Sequence, residues 1–408
     1  MSSDLRRRLE RLDRGRSRTQ ARARPRRRAL DLPPGEEVET TEGLAFRIDT
    51  HYPLEYRHGQ SSLEEVLSYA PGLAAEVAGD AHLEGSRVQR WGFMDIETTG
   101  LSGGAGTLGF LIGLGTFQKG GFNLRQYFLR DPEEEAAALR SLRSDLEGVE
   151  GIVTFNGRRF DLPVLESRYT IALRDRWKLS ALPHLDLLYP ARRLWSKTLV
   201  NCRLSTLERQ VLQVKRTQED VPGELIPGMY LDYLRTGDAS DMVRVIYHNA
   251  IDILSLVGLS SVILSRHRLP DPTGLSGAEA LAVARWHAAA GRFPEAETAY
   301  QAAVGGAPNR GLRSEALKHL AGLLKRQNRR PEALPAWEEW HRLAPDDPSP
   351  CIELAMYYEW EARSLAEAQR WAKAALKVVE GWPNGWRREQ QTAEVEHRLH
   401  RLRRKLTN

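Results

Sequence analysis

Between residues 88 and 266 the apolar positions change period repeatedly, from two residues to about 3.6 and back. A chain patterned in this way must build a sheet with helices laid against it. Residues 88–96, 110–117 and 122–129 read as strands, and 133–146 as a helix. Residues 151–155 form a short buried strand, followed by a helix through Leu162, Leu165 and Tyr169. After a Pro/Gly-rich stretch at 222–228 comes a long helix over 239–266, with Asp238 and Asp241 as a capping pair at its start. Upstream, residues 41–90 mix a strand at 44–48 with a helix at 63–69. Residues 1–40 lack apolar periodicity and carry the Pro33-Pro34-Gly35 break, so they are expected to be a disordered arm.

Residues 270–274 make a linker, and beyond them only helical periods remain. Leu281 and Ala284 precede Pro294-Glu295-Ala296. Leu317, Leu320 and Ala321 precede Pro331-Glu332-Ala333. Leu354, Ala355 and Tyr358 precede Ala366-Glu367-Ala368. Small residues at that spacing let the two helices of a hairpin approach closely. The pattern resembles tetratricopeptide repeats, with a plain helical bundle as the alternative. The expected organisation is therefore a basic arm at 1–40, an α/β domain at 41–269, helical repeats at 275–385 and a basic helix at 386–408. Tryptophans from Trp286 to Trp386 fall in the repeat region and are expected to pack its core.

The formal net charge of +5 is unevenly placed. Residues 1–28 hold twelve arginines against Asp4, Glu10 and Asp13, so the remainder of the chain is net acidic. A second cluster gathers Arg398, Arg401, Arg403, Arg404 and Lys405. Such clusters suit phosphate backbones, although a solvated tail would look the same. No run of 18 apolar residues is present, which argues against a membrane span. Cys202 and Cys351 fit neither a zinc pattern nor a disulfide framework, and a cytoplasmic setting is expected.

Asp95 and Glu97 stand two residues apart at the end of an apolar strand, so they project from one face. Adjacent carboxylates repel, and a divalent cation with a taste for hard oxygen ligands, Mg2+ or Mn2+, would offset that. A solvated edge strand is the plain alternative, which the flanking apolar residues disfavour. Asp161 sits on the first turn of a helix after the Asn156-Gly157 turn, a place the helix dipole also favours for an acid. His248 and Asp252, four residues apart, share a helix face and could simply hydrogen-bond each other. Together, four acids from a strand, a helix start and a late helix can converge on two metal ions about 4 Å apart, with His248 placed to take a proton.

The segments Asp95-Ile96-Glu97-Thr98-Thr99-Gly100, Asn156-Gly157-Arg158-Arg159-Phe160-Asp161 and His248 to Asp252 resemble the three exonuclease motifs of the DEDD superfamily. Asn201-Cys202-Arg203-Leu204-Ser205, Asp220-Val221-Pro222-Gly223 and Tyr247-His248-Asn249 are similar, more closely still, to the YprB-type ribonuclease H-like family. The resemblance spans residues 40–265. It implies a ribonuclease H-like mixed sheet flanked by helices, two divalent metals and phosphodiester cleavage of DNA or RNA with 3′→5′ polarity. Asp95, Glu97, Asp161 and Asp252 would be the metal ligands and His248 the base. Three residues separate His248 from Asp252, whereas histidine-type members have four. Asp186 is a further acid in an apolar setting, either near the site or capping a helix.

Gly104-Ala105-Gly106-Thr107-Leu108-Gly109 matches a dinucleotide-binding fingerprint, but a strand follows it where that fingerprint needs a helix. A loop between two antiparallel strands is expected instead. Three functions stand open: a nuclease whose basic arm holds nucleic acid and whose repeats recruit a protein partner or extend the substrate groove, a non-cleaving nucleic-acid-binding adaptor, and a mainly structural repeat protein, which leaves the acid pattern unexplained.

Overall fold

The computed structural model describes residues 32–100, 106–216, 221–268 and 272–407. The arm at 1–31, the first part of the glycine-rich stretch and Asp220 lie outside the described residues. Strands β1 (Glu36–Thr40), β2 (Gly43–Pro53), β3 (Arg57–His58), β4 (Ser61–Ser62), β5 (Trp91–Thr98), β6 (Gly109–Gln118), β7 (Gly121–Phe128), β8 (Gly151–Thr154) and β9 (His184–Asp186) follow in order. Seven of them form one mixed sheet in the order β1-β2-β7-β6-β5-β8-β9, antiparallel as far as β5 and parallel across β5, β8 and β9. The α/β reading holds, and the expected strands and helices of residues 88–266 are present within a few residues. One expectation needs correction. Residues 36–40 are an edge strand, paired to β2 through Val38↔Ala45. Their acid-rich, half-exposed character hid them, because an edge strand needs only one apolar position on its inner face. Residues 63–68 are a 3-10 turn, and β5 begins after two more such turns, at Ala81–Gly85 and Val88–Arg90.

Helices α1 (Pro71–Ala78), α2 (Glu135–Asp145), α3 (Asp161–Leu173), α4 (Leu188–Trp195), α5 (Leu204–Leu207), α6 (Ile226–Thr236) and α7 (Ser240–Arg268) flank the sheet. Alternation along β5 decides what each face buries. Trp91 and Phe93 join one core with Ile253, Leu256 and Val257 of α7. Met94 and Ile96 join the other core with Leu139, Leu165 and Tyr230. Asp95 and Glu97 continue the Trp91–Phe93 side, beneath α7. A β-bulge between Glu97 and Thr98 ends the regular pairing there. β6 carries glycine where α7 presses on the sheet. A Cβ at Gly113 would run into the Asn249 side chain, and one at Gly115 into Phe122 and Ile253.

Helix α7 starts as expected only in part. Asp238 Oδ1 accepts from the Ser240 N–H at 2.9 Å, whereas Asp241 pairs with Arg244 at 3.3 Å instead of closing a box. By length and composition α7 could cross a membrane, yet 78% of its most apolar window is buried against the rest of the protein.

Beyond it, α8 (Gly277–Ala289), α9 (Phe293–Gly305), α10 (Arg310–Arg326), α11 (Arg330–Leu343), α12 (Ser349–Trp360), α13 (Leu365–Glu380) and α14 (Trp386–Thr407) pack each on the next. The small residues of the repeat pattern sit at these contacts: Ala284, Ala296, Ala321, Ala333, Ala355 and Ala368 are all fully buried. The core of this helical region is continuous with that of α7, through Ala280 and Leu281 of α8. Trp286, Trp337 and Trp340 pack inside as expected. Trp360 and Trp386 do not; they are more than half exposed, with Lys405 and Arg387 over their respective rings. The basic tail is also partly committed internally. Arg398, Arg401 and Lys405 all bind Glu359, whose side chain is completely buried.

Candidate metal centre

Three parallel strand ends and one long helix meet at a single edge of the sheet. β5 ends in Asp95 and Glu97. β8 runs into a turn in which Asn156 takes a left-handed backbone (φ 66°) and Gly157 sits against neighbours that exclude a Cβ. Such a Cβ would lie 2.6 Å from Thr154 Cβ and 2.8 Å from Asp161 Oδ2. The Asn-Gly pair is thus what allows the backbone to double back and bring Asp161, the first residue of α3, into the cleft. β9 ends in Asp186, which accepts from the Asn156 N–H at 2.7 Å, the Arg158 N–H at 3.2 Å and the Leu188 N–H at 3.2 Å. Asp186 therefore lies at the site, where it ties down the turn and its charge reaches Asp161.

α7 supplies the other side. Glu97, His248 and Asp252 each offer one ligand atom, and these atoms lie within 4.8 Å of one another. His248 Nε2 is 3.4 Å from Asp252 Oδ2 and 4.0 Å from Glu97 Oε1. Asp95 Oδ2 accepts from Asn249 Nδ2 at 3.0 Å. The Asn249 Oδ1 is in turn held by Gln126 Nε2 at 2.8 Å. Both amides are buried, so Asp95 is fixed by a chain of hydrogen bonds running through β7 and α7.

The electrostatics show concentrated negative charge. Burial, then Asp252, Glu97 and Asp161, hold the Asp95 carboxyl well above the usual carboxylate range, against the Asn249 hydrogen bond. Glu97 is raised likewise by burial, Asp252 and Asp161, with Arg216 opposing. Asp161 is pushed up to about 7 by burial and then by Asp186. Asp95, Glu97 and Asp161 are thus destabilised as carboxylates by burial and acidic neighbours, which is the condition a divalent cation relieves. Glu97, Asp252 and His248 lie within reach of one ion, with Asp95 and Asp161 charging the same cleft, and a carboxylate-rich set of this kind suits Mg2+ or Mn2+. The residues present therefore fit the implied metals.

Sequence reasoning missed a buried cation in this centre. Arg216 Nη2 donates to Asp252 Oδ1 at 2.6 Å, and Arg216 Nη1 to His248 Nδ1 at 2.7 Å. Its other contacts anchor it on Glu208, with Nη2 at 2.9 Å from Oε1 and Nε at 3.1 Å from Oε2. Ser255 donates to Glu208 Oε1 at 2.6 Å, and the His58 ring lies 2.8 Å from the Ser255 hydroxyl. Glu208 is raised to about 6, by burial and then Asp252, against the pull of Arg216. Glu208 opens a π-helical turn (Glu208–Leu212) that breaks α5 out of register. Glu208 is followed by Arg209 and Gln210, so no signal in the sequence singled it out.

Residues 92–263 match the RNase_H superfamily family description. The chain is also similar to the uncharacterized protein YprB of Bacillus subtilis (strain 168), with 32% identity over 375 residues, covering 88% of this chain and 86% of that protein. The mixed sheet, its parallel strand ends and the carboxylates gathered there are what such a domain requires, and the chain belongs to the YprB family, with an RNase H-superfamily domain at its core.

Proposed function

We propose that the chain is a metal-dependent nuclease that hydrolyses phosphodiester bonds of DNA or RNA, with 3′→5′ exonuclease polarity. The observation that carries this reading is the convergence of Asp95, Glu97, Asp161 and Asp252, from separate stretches of sequence, on one cleft, where Glu97, Asp161 and Asp252 all raise the Asp95 carboxyl and Asp161 and Asp252 also raise Glu97. Asp95, Glu97, Asp161 and Asp252 would hold two divalent ions. Those ions would supply charge neutralisation at phosphorus and a stronger nucleophile at neutral pH. Asn249 and Gln126 orient Asp95, and the Asp186-tied turn orients Asp161.

His248 is the side chain placed to accept the proton of the attacking water. An arginine only donates, so with Arg216 on Nδ1 the neutral ring carries its proton on Nε2, facing Asp252. His248 can accept at Nε2 only after Arg216 releases Nδ1 and the ring proton moves from Nε2 to Nδ1, so Arg216, anchored on Glu208, sets when the base is available. The repeats would hold a protein partner.

The test is an end-labelled single strand and a circular one, each incubated with Mg2+, Mn2+ or a chelator. Metal-dependent shortening of the linear strand alone supports the reading. Cutting of the circle overturns the exonuclease part, and binding without products under every condition favours the adaptor.

A further inference from the structure

A cleft outside the carboxylate centre lies between α4 and α8, with a volume of about 430 Å³. Arg192, Arg193 and Lys197 line it from one side and Arg285 from the other, over a floor that includes Leu281 and Ala282. Among the described residues the Arg192 and Arg193 guanidinium groups have no hydrogen bond or ion pair. Burial alone pulls Arg193 below its ordinary value, with no carboxylate to oppose it. Lys197 and Arg285 share one acid, Glu315, at 2.6 and 3.7 Å. The nearest other acid on α8, Glu279, is spent on the Trp195 indole and on its own helix cap. Four cations thus face one carboxylate.

A helix dipole accounts for arginines in the last turn of α4. It does not account for Lys197 beyond that helix or for Arg285 converging from another. Nor is Trp286 a platform for bases: it is buried, with Arg292 already over its face.

The cleft is close to the carboxylate centre along the chain. α4 begins two residues after Asp186, so Arg192 and Arg193 stand roughly 10 Å from it at 1.5 Å per helical residue. Along a stacked strand, which rises ~3.4 Å per nucleotide, that is about three nucleotides. A centre built from carboxylates repels a polyanion, so a strand brought there needs positive charge within a few nucleotides. Guanidinium forks on concave walls match phosphodiester oxygens.

We propose that the α4–α8 cleft is a phosphate-backbone anchor that holds the nucleic-acid strand a few nucleotides from the cleavage centre. The proposal rests on the nuclease reading. It joins the catalytic fold and the helical region in one substrate-binding surface, with α8 supplying Arg285.

The experiment measures binding of a fluorescent 15-nucleotide single strand to the full chain in chelator, where no cutting occurs, across a salt series. Wild type is compared with R192E/R193E. The variant is expected to bind at least tenfold more weakly, with a log–log salt slope shallower by about 1.4, the value for two lost phosphate contacts. Its melting temperature should hold, because neither side chain has a bond to lose. Unchanged affinity and slope overturn the anchor alone, whereas no binding by wild type overturns the nuclease reading as well. Inorganic phosphate is the competing probe: millimolar phosphate that displaces the strand from wild type but not from the variant supports the anchor, whereas phosphate that binds wild type and not the variant without displacing the strand makes the cleft a free-phosphate site and the backbone anchor wrong.

Discussion

Arg216 and Asp252 form a buried ion pair at 2.6 Å in the middle of a carboxylate cluster, so a side-chain cation already sits where an added cation would be drawn. The guanidinium and a metal ion would compete for the same charge on Asp252. Arg216→Gln removes the competitor. It also leaves Glu208 buried without its partner, at a cost on the order of 3 kcal/mol. The metal-free variant should melt several degrees lower than wild type, and Mn2+ should restore it at lower concentration. Thermal melts in chelator and across a Mn2+ series check this. An unchanged metal-free melting temperature, or weaker Mn2+ binding, would mean that Arg216 supports the ligands and does not compete with the ion.

Asn249→Leu breaks the hydrogen bond that orients Asp95 and takes a partner from Gln126, which keeps only Ile246 O. A stability loss of about 1–3 kcal/mol is expected from the unsatisfied amide. Cleavage should fall further, by at least tenfold, because Asp95 would no longer be fixed. Denaturant melts and initial rates measured together check this, and full activity with the expected stability loss would show that the chain only packs.

Gly157→Ala puts a methyl against Thr154 and the Asp161 carboxylate. The turn must open, moving Asp161 outward, at about 1–3 kcal/mol. Metal affinity should drop along with stability. Ala at Gly79, a left-handed position with open space around it, gives the control: backbone strain far from the cleft, with metal binding unchanged.

The pH dependence of the metal-free protein follows from Asp161. Its folded pKa, near 7, lies above its unfolded value, so the folded state binds more protons between about 4 and 7. Stability from this group is complete below about 4 and is lost as pH rises through 7. His58, His184 and His267, each lowered to about 4 chiefly by burial, tilt stability the opposite way over part of that range. The difference between wild type and Asp161→Asn isolates the carboxylate. Asp161→Asn should gain on wild type in melting temperature as pH rises from 4 to 7, and the gain should shrink when Mn2+ stabilises wild type. A difference that does not vary with pH would contradict the crowded-carboxylate account.

Much of this centre could be read from the residues because the relevant signals are local. Strand alternation put Asp95 and Glu97 on one face, and a four-residue helical step did the same for His248 and Asp252. The Asn-Gly turn marked the approach to Asp161. Arg216, Glu208 and the Gln126–Asn249 relay could not be read in this way. Their partners lie 32 to 154 residues away or beside a π-turn, and no periodicity records such pairings. The same limit hid β1, an acidic edge strand specified by its pairing with β2, and the commitment of Arg398, Arg401 and Lys405 to Glu359. The small-residue spacing of the repeats, by contrast, is a packing rule written directly in the sequence, and its alanines are buried.

The most direct test of the metal-centre account is anomalous diffraction from a crystal of the protein soaked in Mn2+. The account predicts two peaks about 4 Å apart, bounded by Asp95, Glu97, Asp161 and Asp252, and their loss in Asp95→Asn. Manganese bound only elsewhere, or an unoccupied cleft at saturating Mn2+ with Arg216 still on Asp252, would contradict it.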